Sequence, residues 1–542
     1  MNGLVRLYAF MGMAVFLASC NGCSSGDASH KKIFRYNQSS GITSLDPAAA
    51  SDLSNIWAVN QLFNSLLQLD DSLQVKPCIA SKWSISEDGL TYTFYLRTDV
   101  RFHDDSCFSG AKGRKVTAAD VVYSFKRLVN PATAAKGSWV FNGRVDTANA
   151  FTAINDSVFQ LQLRRPFSPM LGILTMQYCS VIPHEAIEKY GTDFRSHPVG
   201  TGPFRFYQWK ENVALMMNKN THYFETQNGQ SLPLIDGVKI SFIDNAKTEF
   251  ITFRQGDLDF ISGVDAAYID EVLEENGTVK SNWAKQFNVS KSPFLNTEYL
   301  CFLMTDAYGK DNPLLNKKIR QAINYAIDRQ ELITYLRNGI GQPAIHGFNP
   351  YGFSDFDINA IPGYIFDIHK AKDLLTEAGF KDGKGLPEIK LYSTDMYKEY
   401  ALTISKQLER AGIRTKVELV QSSLLKEMKA GGKAPFFRAS LVADYADPET
   451  YFAAFYSKHI APPNYTRFSN SRFDELYEKS VAEKDIAKRN EMYVEMEGII
   501  HDEAPIVPLY YDEALRITQK RVSGLVPNPL NLLQLKQVTI NN

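Results

Sequence analysis

Long hydrophobic runs and an excess of charge of one sign are both missing from this sequence. The one apolar run, Leu7 to Leu17, is shorter than the roughly 20 residues that cross a bilayer as a helix, and no second run approaches that length. The 59 basic residues nearly balance the 60 acidic residues, and no basic domain stands out. The sequence therefore predicts neither a transport pore nor a protein that binds nucleic acid.

Catalytic motifs are also missing. No GxSxG, HExxH or P-loop pattern occurs, and the nine histidines show no metal-ligand spacing. SxxK patterns occur without the SDN and KTG patterns that accompany them in β-lactamases and penicillin-binding proteins. Gly200-Thr201-Gly202 is followed by Pro203, which has no backbone N–H to donate to a phosphate. We therefore predict a protein that is not an enzyme, with no catalytic residue, no metal site and no cofactor.

The N-terminal segment has the features of an export signal. One positive charge, Arg6, precedes the apolar run. Residues 17–20, Leu-Ala-Ser-Cys, resemble the lipobox of bacterial lipoproteins, in which the cysteine thiol receives diacylglycerol before cleavage at its amino side. We predict a signal peptide over residues 1–19, a lipid anchor on Cys20 and a flexible tether over residues 20–32. The protein would then lie in the cell envelope, in the periplasm, anchored to a membrane leaflet that the sequence does not identify.

The remaining cysteines give no disulfide framework. Five are left once Cys20 is assigned to lipid, and no CxxC pair occurs after the tether. Two interpretations stay open for this scattered set. Either Cys78 and Cys107 form a bridge in an oxidising compartment, or most of the cysteines are buried free thiols. The sequence does not fix the pairing among the four that follow the tether: Cys78, Cys107, Cys179 and Cys301.

Residues 77–127 contain a strand and an amphipathic helix joined by a loop. Apolar and more polar side chains alternate over residues 91–97, which predicts a strand with one buried face. Thr117 is placed to cap the following helix, with Asp120 three residues on. Apolar residues then recur at helical spacing and would pack the helix onto the strand. This pattern is ordinary α/β architecture and does not by itself name a function.

The rest of the chain is predicted to be an α/β protein with at least two lobes, because 542 residues exceed what one core normally supports. An apolar stripe predicts one long helix from Ile319 to Leu336. Strand 389–392, helix 397–411 and strand 413–420 are predicted to form a βαβ unit, whose crossover is right-handed. Residues 505–511 predict a late strand.

Several segments, in order along the chain, resemble one protein family. They are PCIASKW at 77–83, TAADVVYSFKR at 117–127, PVGTGPF at 198–204, NPLLNKKIRQAINYAIDRQELI at 312–333, HKAKDLLTEAGF at 369–380 and EAPIVPLYY at 503–511. They are similar to bacterial extracellular solute-binding proteins of family 5, which include the oligopeptide, dipeptide and nickel receptors of ABC importers. Each segment alone is weak, and their ordered recurrence carries the resemblance.

The resemblance implies a periplasmic-binding-protein-like fold of type II, which is an α/β fold with two lobes, a hinge and an extra subdomain. Residues 33–67, 180–290 and 505–542 would form lobe I, residues 68–179 the extra subdomain, and residues 291–504 lobe II. Ligand would bind in the cleft between the lobes, which close around it by hinge motion.

Residues 443–449, Ala-Asp-Tyr-Ala-Asp-Pro-Glu, contain the candidate ligand site. Asp447 precedes a proline and is placed to cap the helix that begins there, so its role is structural. Asp444 has no such local role. The resemblance implies that Asp444 pairs with the α-ammonium group of a bound peptide, and that Tyr445 and Leu441 lie beside the ligand. Peptide-binding relatives commonly have Trp at the position of Leu441, so the packing beside the ligand backbone differs here.

The function that the resemblance implies is that of a lipid-anchored receptor. It would act as a monomer, capture short peptides and deliver them to the permease subunits of an ABC importer, whose ATPases supply the energy. The rest of the peptide would be held by main-chain pairing, as an added strand. Two alternatives stay open: a receptor for a nickel chelate or another small solute, and a surface adhesin or signalling module that reuses the fold. Peptide length and sequence preference do not follow from any motif.

Overall fold

The computed structural model describes residues 31–265, 267–309 and 312–541, so the predicted signal peptide, Cys20 and the tether up to residue 30 lie outside it. Its helices α1 to α15 are Leu53–Leu62, Ala118–Val129, Met170–Ile173, His184–Tyr190, Ala246–Arg254, Ile269–Val272, Ser281–Gln286, Lys317–Tyr325, Arg329–Arg337, Ile368–Glu377, Lys398–Arg410, Ser422–Ala430, Glu449–Phe452, Ser471–Ala482 and Ile486–Glu503. Its strands β1 to β21 are Ile33–Asn37, Leu67–Leu69, Val75–Pro77, Ala80–Ile85, Thr91–Leu96, Phe151–Asn155, Val158–Gln162, Phe204–Lys210, Ala214–Lys219, Thr226–Gln227, Gln230–Ser231, Gly237–Ser241, Phe260–Ser262, Phe287–Phe302, Gln342–Pro343, Ile389–Ser393, Thr415–Leu419, Phe436–Val442, Ile506–Gln519, Val522–Ser523 and Thr539–Ile540. Within the described part of the chain, no helix combines the length and the apolar character needed to cross a membrane.

A large mixed sheet is the framework of the molecule. Its strand order is β17-β16-β18-β14-β19-β13-β1-β12-β9-β8, and β15 also pairs with β19. The two central strands are long, with 16 residues in β14 and 14 in β19. They pair antiparallel, and the pairing is interrupted between Pro293 and Thr297. This pair joins the strands β16 to β18 on one side to the strands β13, β1, β12, β9 and β8 on the other.

A second sheet, of order β4-β5-β7-β6, contains the strand predicted from residues 91–97. That strand is confirmed as β5, and its buried residues alternate as predicted. The predicted helix is confirmed as α2, which packs against β6 and β7. The ring of Phe125 on α2 lies 5.0 to 5.6 Å, centroid to centroid, from three other rings: Phe141, Phe151 and Phe159. Such a cluster makes this small sheet a well-packed unit.

Two predicted local signals are also confirmed. The carboxylate of Asp120 accepts hydrogen bonds from the backbone N–H and the hydroxyl of Thr117, at 2.8 and 3.0 Å, at the start of α2. Residues 198–204 turn into β8 and lie against the end of α1. A Cβ on Gly202 would come within 2.4 Å of the carbonyl carbon of Leu62, so only glycine fits. Gly202 donates its N–H to the Leu62 carbonyl at 2.9 Å and thereby holds the end of α1.

The predicted βαβ unit is confirmed as β16, α11 and β17. β16 and β17 pair in parallel over five residues each, from Ile389 opposite Thr415 to Ser393 opposite Leu419. The predicted late strand is confirmed as β19, which continues past residue 511 to Gln519. We attribute the greater length of β19 to its position between β14 and β13, because a strand with a partner on each side forms hydrogen bonds along both edges.

The predicted long helix over residues 319–336 is wrong, because the chain forms two helices there, α8 and α9. Asp328 lies between them and caps α9 by accepting a hydrogen bond from the N–H of Glu331 at 3.0 Å. The buried guanidinium of Arg329 donates to the backbone carbonyl of Asn324 at 3.1 Å. These contacts end α8 and start α9, although the apolar stripe continues across the break.

The cysteines of the described residues are free thiols, so the bridge considered between Cys78 and Cys107 is not formed. Cys78, Cys179 and Cys301 are buried, and Cys107 is half-buried. Burial raises the pKa of Cys78 and of Cys301 to about 12. The buried thiols are therefore protonated and unreactive at neutral pH, in agreement with the second interpretation.

Candidate ligand-binding cleft

The segment that holds Asp444 connects β18 to the short helix α13. β18 ends at Val442, and the N–H of Ala443 donates to the carbonyl of Leu295 at 2.8 Å. Helix α13 begins at Glu449. The chain therefore leaves the large sheet at this point and forms a loop that is fixed at both ends.

A cavity of about 250 Å³ lies beside this loop. Its lining comes from widely separated parts of the chain, namely Ser51, Leu53, Ile56 and Asn60 in and before α1, Leu69, residues 175–178, residues 442–445, and Leu530 and Leu532. Among the described residues that line it, none is basic and Asp444 supplies the only carboxylate. A neighbouring cavity of about 100 Å³ shares four lining residues with it: Asn60, Leu69, Thr175 and Leu532. The two cavities therefore form one cleft that extends beyond Asp444.

The carboxylate of Asp444 faces this cleft without a cationic partner. Its backbone N–H lies 3.5 Å from the hydroxyl oxygen of Thr450, but no ion pair or side-chain hydrogen bond among the described residues includes its carboxylate. Asp447 differs, because it pairs with Arg489 at 3.1 Å and accepts a hydrogen bond from the hydroxyl of Tyr493 at 2.9 Å. The two acids of this loop thus have different environments, and only the Asp447 charge is compensated within the protein.

The surroundings of Asp444 raise its pKa to about 6. The main cause is the loss of bulk water around the carboxylate, and the negative charge of Glu449 adds to it. Asp444 itself is exposed, so the rise in its pKa comes from the protein around the carboxylate and not from a side chain closed off from water. Burial raises the pKa of Tyr178, which lines the same cavity, to about 12, and the charges of Asp444 and Asp52 contribute. A cation bound here would relieve this unfavourable electrostatic environment.

Tyr445, the residue after Asp444, lines the cavity and anchors the loop through contacts with other side chains. It is buried, with 3% of its surface exposed, and it contributes to the cavity lining. Its hydroxyl donates to the carboxylate of Glu449, which also accepts a hydrogen bond from Tyr477. Its ring stacks on that of Trp139, with centroids 6.4 Å apart and planes at 28°. Tyr445 therefore ties the loop to the region of the second sheet, where Trp139 lies.

Leu441 is placed differently from the other predicted site residues. It lies in β18, opposite Thr297 of β14, and it is half-buried. Its carbonyl oxygen accepts a hydrogen bond from the hydroxyl of Tyr451 at 3.1 Å. Leu441 does not line the cavity beside Asp444. The structure thus brings Asp444 and Tyr445 together at the cavity and leaves Leu441 in the sheet next to it.

Sequence reasoning missed most of the cavity wall. Asn60 lies on α1, Gln177 and Tyr178 precede α4, and Leu532 lies near the C-terminus. No motif or spacing connects these segments, so only the folded chain reveals that they meet. The described residues contain no group of three or more His, Cys, Asp or Glu side chains placed to bind a metal ion. The charged group that stands out in the lining is the carboxylate of Asp444, which pairs with no cation among the described residues.

Comparison with known proteins places the chain in a family. The family model of bacterial extracellular solute-binding proteins, family 5 Middle, matches residues 74–462. The dipeptide-binding protein of Escherichia coli is 27% identical over 503 residues, which cover 88% of this chain and 89% of that protein. Heme-binding protein A of Haemophilus influenzae is 26% identical over an alignment of 549 positions, which covers 95% of each chain. Two relatives with similar sequence identity to this chain are thus named for different ligands, a dipeptide and heme.

A solved structure shares the fold over almost the whole chain. It is that of the periplasmic binding protein DppA from Helicobacter pylori in complex with the peptide STSA, with a TM-score of 0.74. The match covers 94% of this chain and 99% of that one at 24% identity, and it confirms the predicted type II fold. Since the family model covers well over half of the sequence, this chain belongs to the bacterial extracellular solute-binding proteins of family 5.

Proposed function

We propose that this protein is a periplasmic receptor, anchored by lipid on Cys20, that captures short peptides and delivers them to the permease of an ABC importer. The observation that carries the proposal is the uncompensated carboxylate of Asp444 in a cavity lined by no basic residue. A peptide α-ammonium group removed from water needs a charge partner, and a charge-assisted hydrogen bond to this carboxylate supplies one. The dipeptide-binding relative and the peptide-bound structure of the same fold support this ligand class.

We also propose that the cavity belongs to a cleft between two lobes and an extra subdomain. Lobe I comprises residues 33–67, 180–290 and 505–542, the extra subdomain residues 68–179, and lobe II residues 291–504. The cavity wall supports this division because it draws on all three parts: α1 and the C-terminal segment, the stretch before α4, and the end of β18. A ligand held there would contact every part that moves during closure.

The bound molecule can be identified directly. Native mass spectrometry of the chain from Asp27 onward, purified without refolding, is expected to show a ladder of added masses that resolve into peptides of mixed sequence. A single metal, heme or other non-peptide adduct would instead favour a receptor for a nickel chelate or another small solute. A protein that carries nothing and binds no added peptide would contradict the peptide proposal and favour the adhesin or signalling alternative.

Peptide affinity is expected to fall about tenfold between pH 7 and pH 5. The pKa of Asp444 is about 6, so its carboxylate is mostly ionised at pH 7 and mostly protonated at pH 5, and only the ionised form attracts an ammonium group. The peptide amino group, with a pKa of about 8, stays protonated over this range. Isothermal titration calorimetry at several pH values measures the profile. Asp444→Asn should flatten it, and a wild-type affinity that is equal at both ends of the range would contradict the pairing.

A further inference from the structure

A groove of about 710 Å³ lies on the large sheet and shares no lining residue with the cavity beside Asp444. It is formed by β1, β12, β9 and β8, which are neighbours at one end of that sheet. Arg35, Lys239 and Met216 lie opposite one another on three of these strands. Residues in register on adjacent strands share a face of the sheet, so these three side chains lie together. Lys239 is exposed.

The groove is strongly basic. Its eleven lining residues include no acidic residue and four basic ones: Lys31, Lys32, Arg35 and Lys239. Arg35 is paired with Asp259 at 3.0 Å, but no ion pair among the described residues includes any of the three lysine ammonium groups. One acid, Asp236, lies at the rim and accepts a hydrogen bond from the backbone N–H of Lys32 at 2.8 Å. The groove thus concentrates positive charge on a chain whose formal net charge is only -1.

Apolar side chains accompany the lysines. Tyr207 on β8 is 61% exposed, which is unusual for an aromatic residue in a sheet. The pairing of β8 with β9 is irregular between Phe206 and Gln208, so Tyr207 is the extra residue of a bulge. Ile33 and Met216 also line the groove. Lysines combined with an exposed tyrosine are typical of surfaces that contact lipid headgroups, where the amphipathic ring lies at the level of the headgroups.

We propose that this groove docks the protein onto the anionic headgroups of a phospholipid bilayer. The positive charge of the groove complements the negative charge of such headgroups, and the groove also lies close in sequence to the proposed anchor. Lys31, the first described residue, is part of the groove and lies eleven residues after Cys20. A segment of that length reaches at most about 40 Å, so an acyl chain on Cys20 would keep the groove close to the membrane. This proximity rests on the proposed anchor, whereas the charge complementarity does not.

The test uses the chain from Asp27 onward, which keeps the described residues and cannot be acylated at Cys20. Its partition is measured by co-sedimentation with vesicles of phosphatidylcholine alone and of phosphatidylcholine mixed with phosphatidylglycerol, at low and at physiological salt. We expect binding to the anionic vesicles only, and weaker binding at higher salt. The variant K31Q/K32Q/K239Q should partition about 100-fold more weakly, since each lysine near an anionic surface contributes several-fold.

A matched variant, K381Q/K390Q/K406Q, removes three exposed lysines elsewhere that take part in no ion pair among the described residues. It should partition like the wild type. Unchanged thermal unfolding and peptide affinity in both triple variants will show that the fold is intact. Equal losses in the two variants, or equal binding of the wild type to neutral and anionic vesicles, would overturn the proposal. Because the tested chain has no anchor, failure of the docking proposal and failure of the Cys20 proposal are distinguishable.

Discussion

Asp444→Asn is expected to weaken the binding of a peptide with a free amino terminus by about 30-fold to several thousand-fold. The substitution keeps the shape of the side chain but removes the charge that the cleft offers to the α-ammonium group. Among the described residues, Asp444 supplies the only carboxylate of the cavity lining, so the wall that they form holds no substitute for the lost interaction. Isothermal titration calorimetry at pH 7 with one short peptide measures the change in Kd.

An acetylated peptide completes a double-mutant cycle. Acetylation removes the ammonium charge, so it should weaken binding to the wild type strongly and binding to Asp444→Asn very little. Asp257→Asn serves as the control, because Asp257 is exposed, lies outside the cavity lining and takes part in no ion pair among the described residues. Its affinity for both peptides should equal that of the wild type. Additive effects of Asp444→Asn and acetylation would show that the two groups do not meet.

Asp259→Ala is expected to lower the free energy of unfolding by about 3 to 5 kcal/mol. The carboxylate of Asp259 is completely buried and binds two arginines. It accepts hydrogen bonds from the backbone N–H and Nε of Arg35, at 2.8 and 3.0 Å, and from Nε and Nη2 of Arg521, at 2.9 and 2.7 Å. Alanine would leave both guanidinium groups without their acid at the junction of β1, β13 and β19. Urea unfolding followed by circular dichroism measures the loss.

The control for this substitution is an acid in an exposed pair. Asp99 binds Arg97 at 2.7 Å, but the two side chains are 56% and 34% exposed. Asp99→Ala should therefore cost less than about 1 kcal/mol. If Asp259→Ala destabilises no more than Asp99→Ala, the buried carboxylate does not stabilise the sheet. Peptide affinity measured below the unfolding transition should stay unchanged in both variants, since neither acid lines the cleft.

Local signals in the sequence predicted much of the fold. The alternation over residues 91–97 and the pairing of Thr117 with Asp120 depend only on neighbours along the chain, and both appear in the structure. The helix predicted over residues 319–336 failed because its break depends on contacts made elsewhere. The N–H of Asp328 donates to the side chain of Gln407, 79 residues away. An apolar stripe reports which side is buried and carries no information about such distant partners.

In the candidate site, too, local sequence signals predicted some features and distant contacts determined the others. The sequence separated Asp447 from Asp444 by predicting that Asp447, which precedes a proline, caps a helix. In the structure α13 begins one residue later than that prediction, at Glu449, with Pro448 at the N-cap position, and Asp447 accepts a hydrogen bond from the N–H of Glu449 at 3.0 Å. Asp444 itself was singled out by the family resemblance, and its position in a cavity without basic residues could not be foreseen. Trp139, whose ring stacks on Tyr445, lies about 300 residues away in a stretch with no distinctive pattern. Packing between residues so far apart in the chain cannot be predicted from residue spacing or composition.

The central position of β19 has a consequence for the order of events during synthesis. β19 lies between β14 and β13, so the large sheet remains in two parts until residues 506–519 are available. β1, near the beginning of the described chain, lies in the part of the sheet that is joined to β14 only through β19. Pairing across such sequence distances is slow, and a ribosome delivers the required strand nearly last. For a chain with the proposed export signal, this order delays the joining of the two parts of the sheet until synthesis is almost complete.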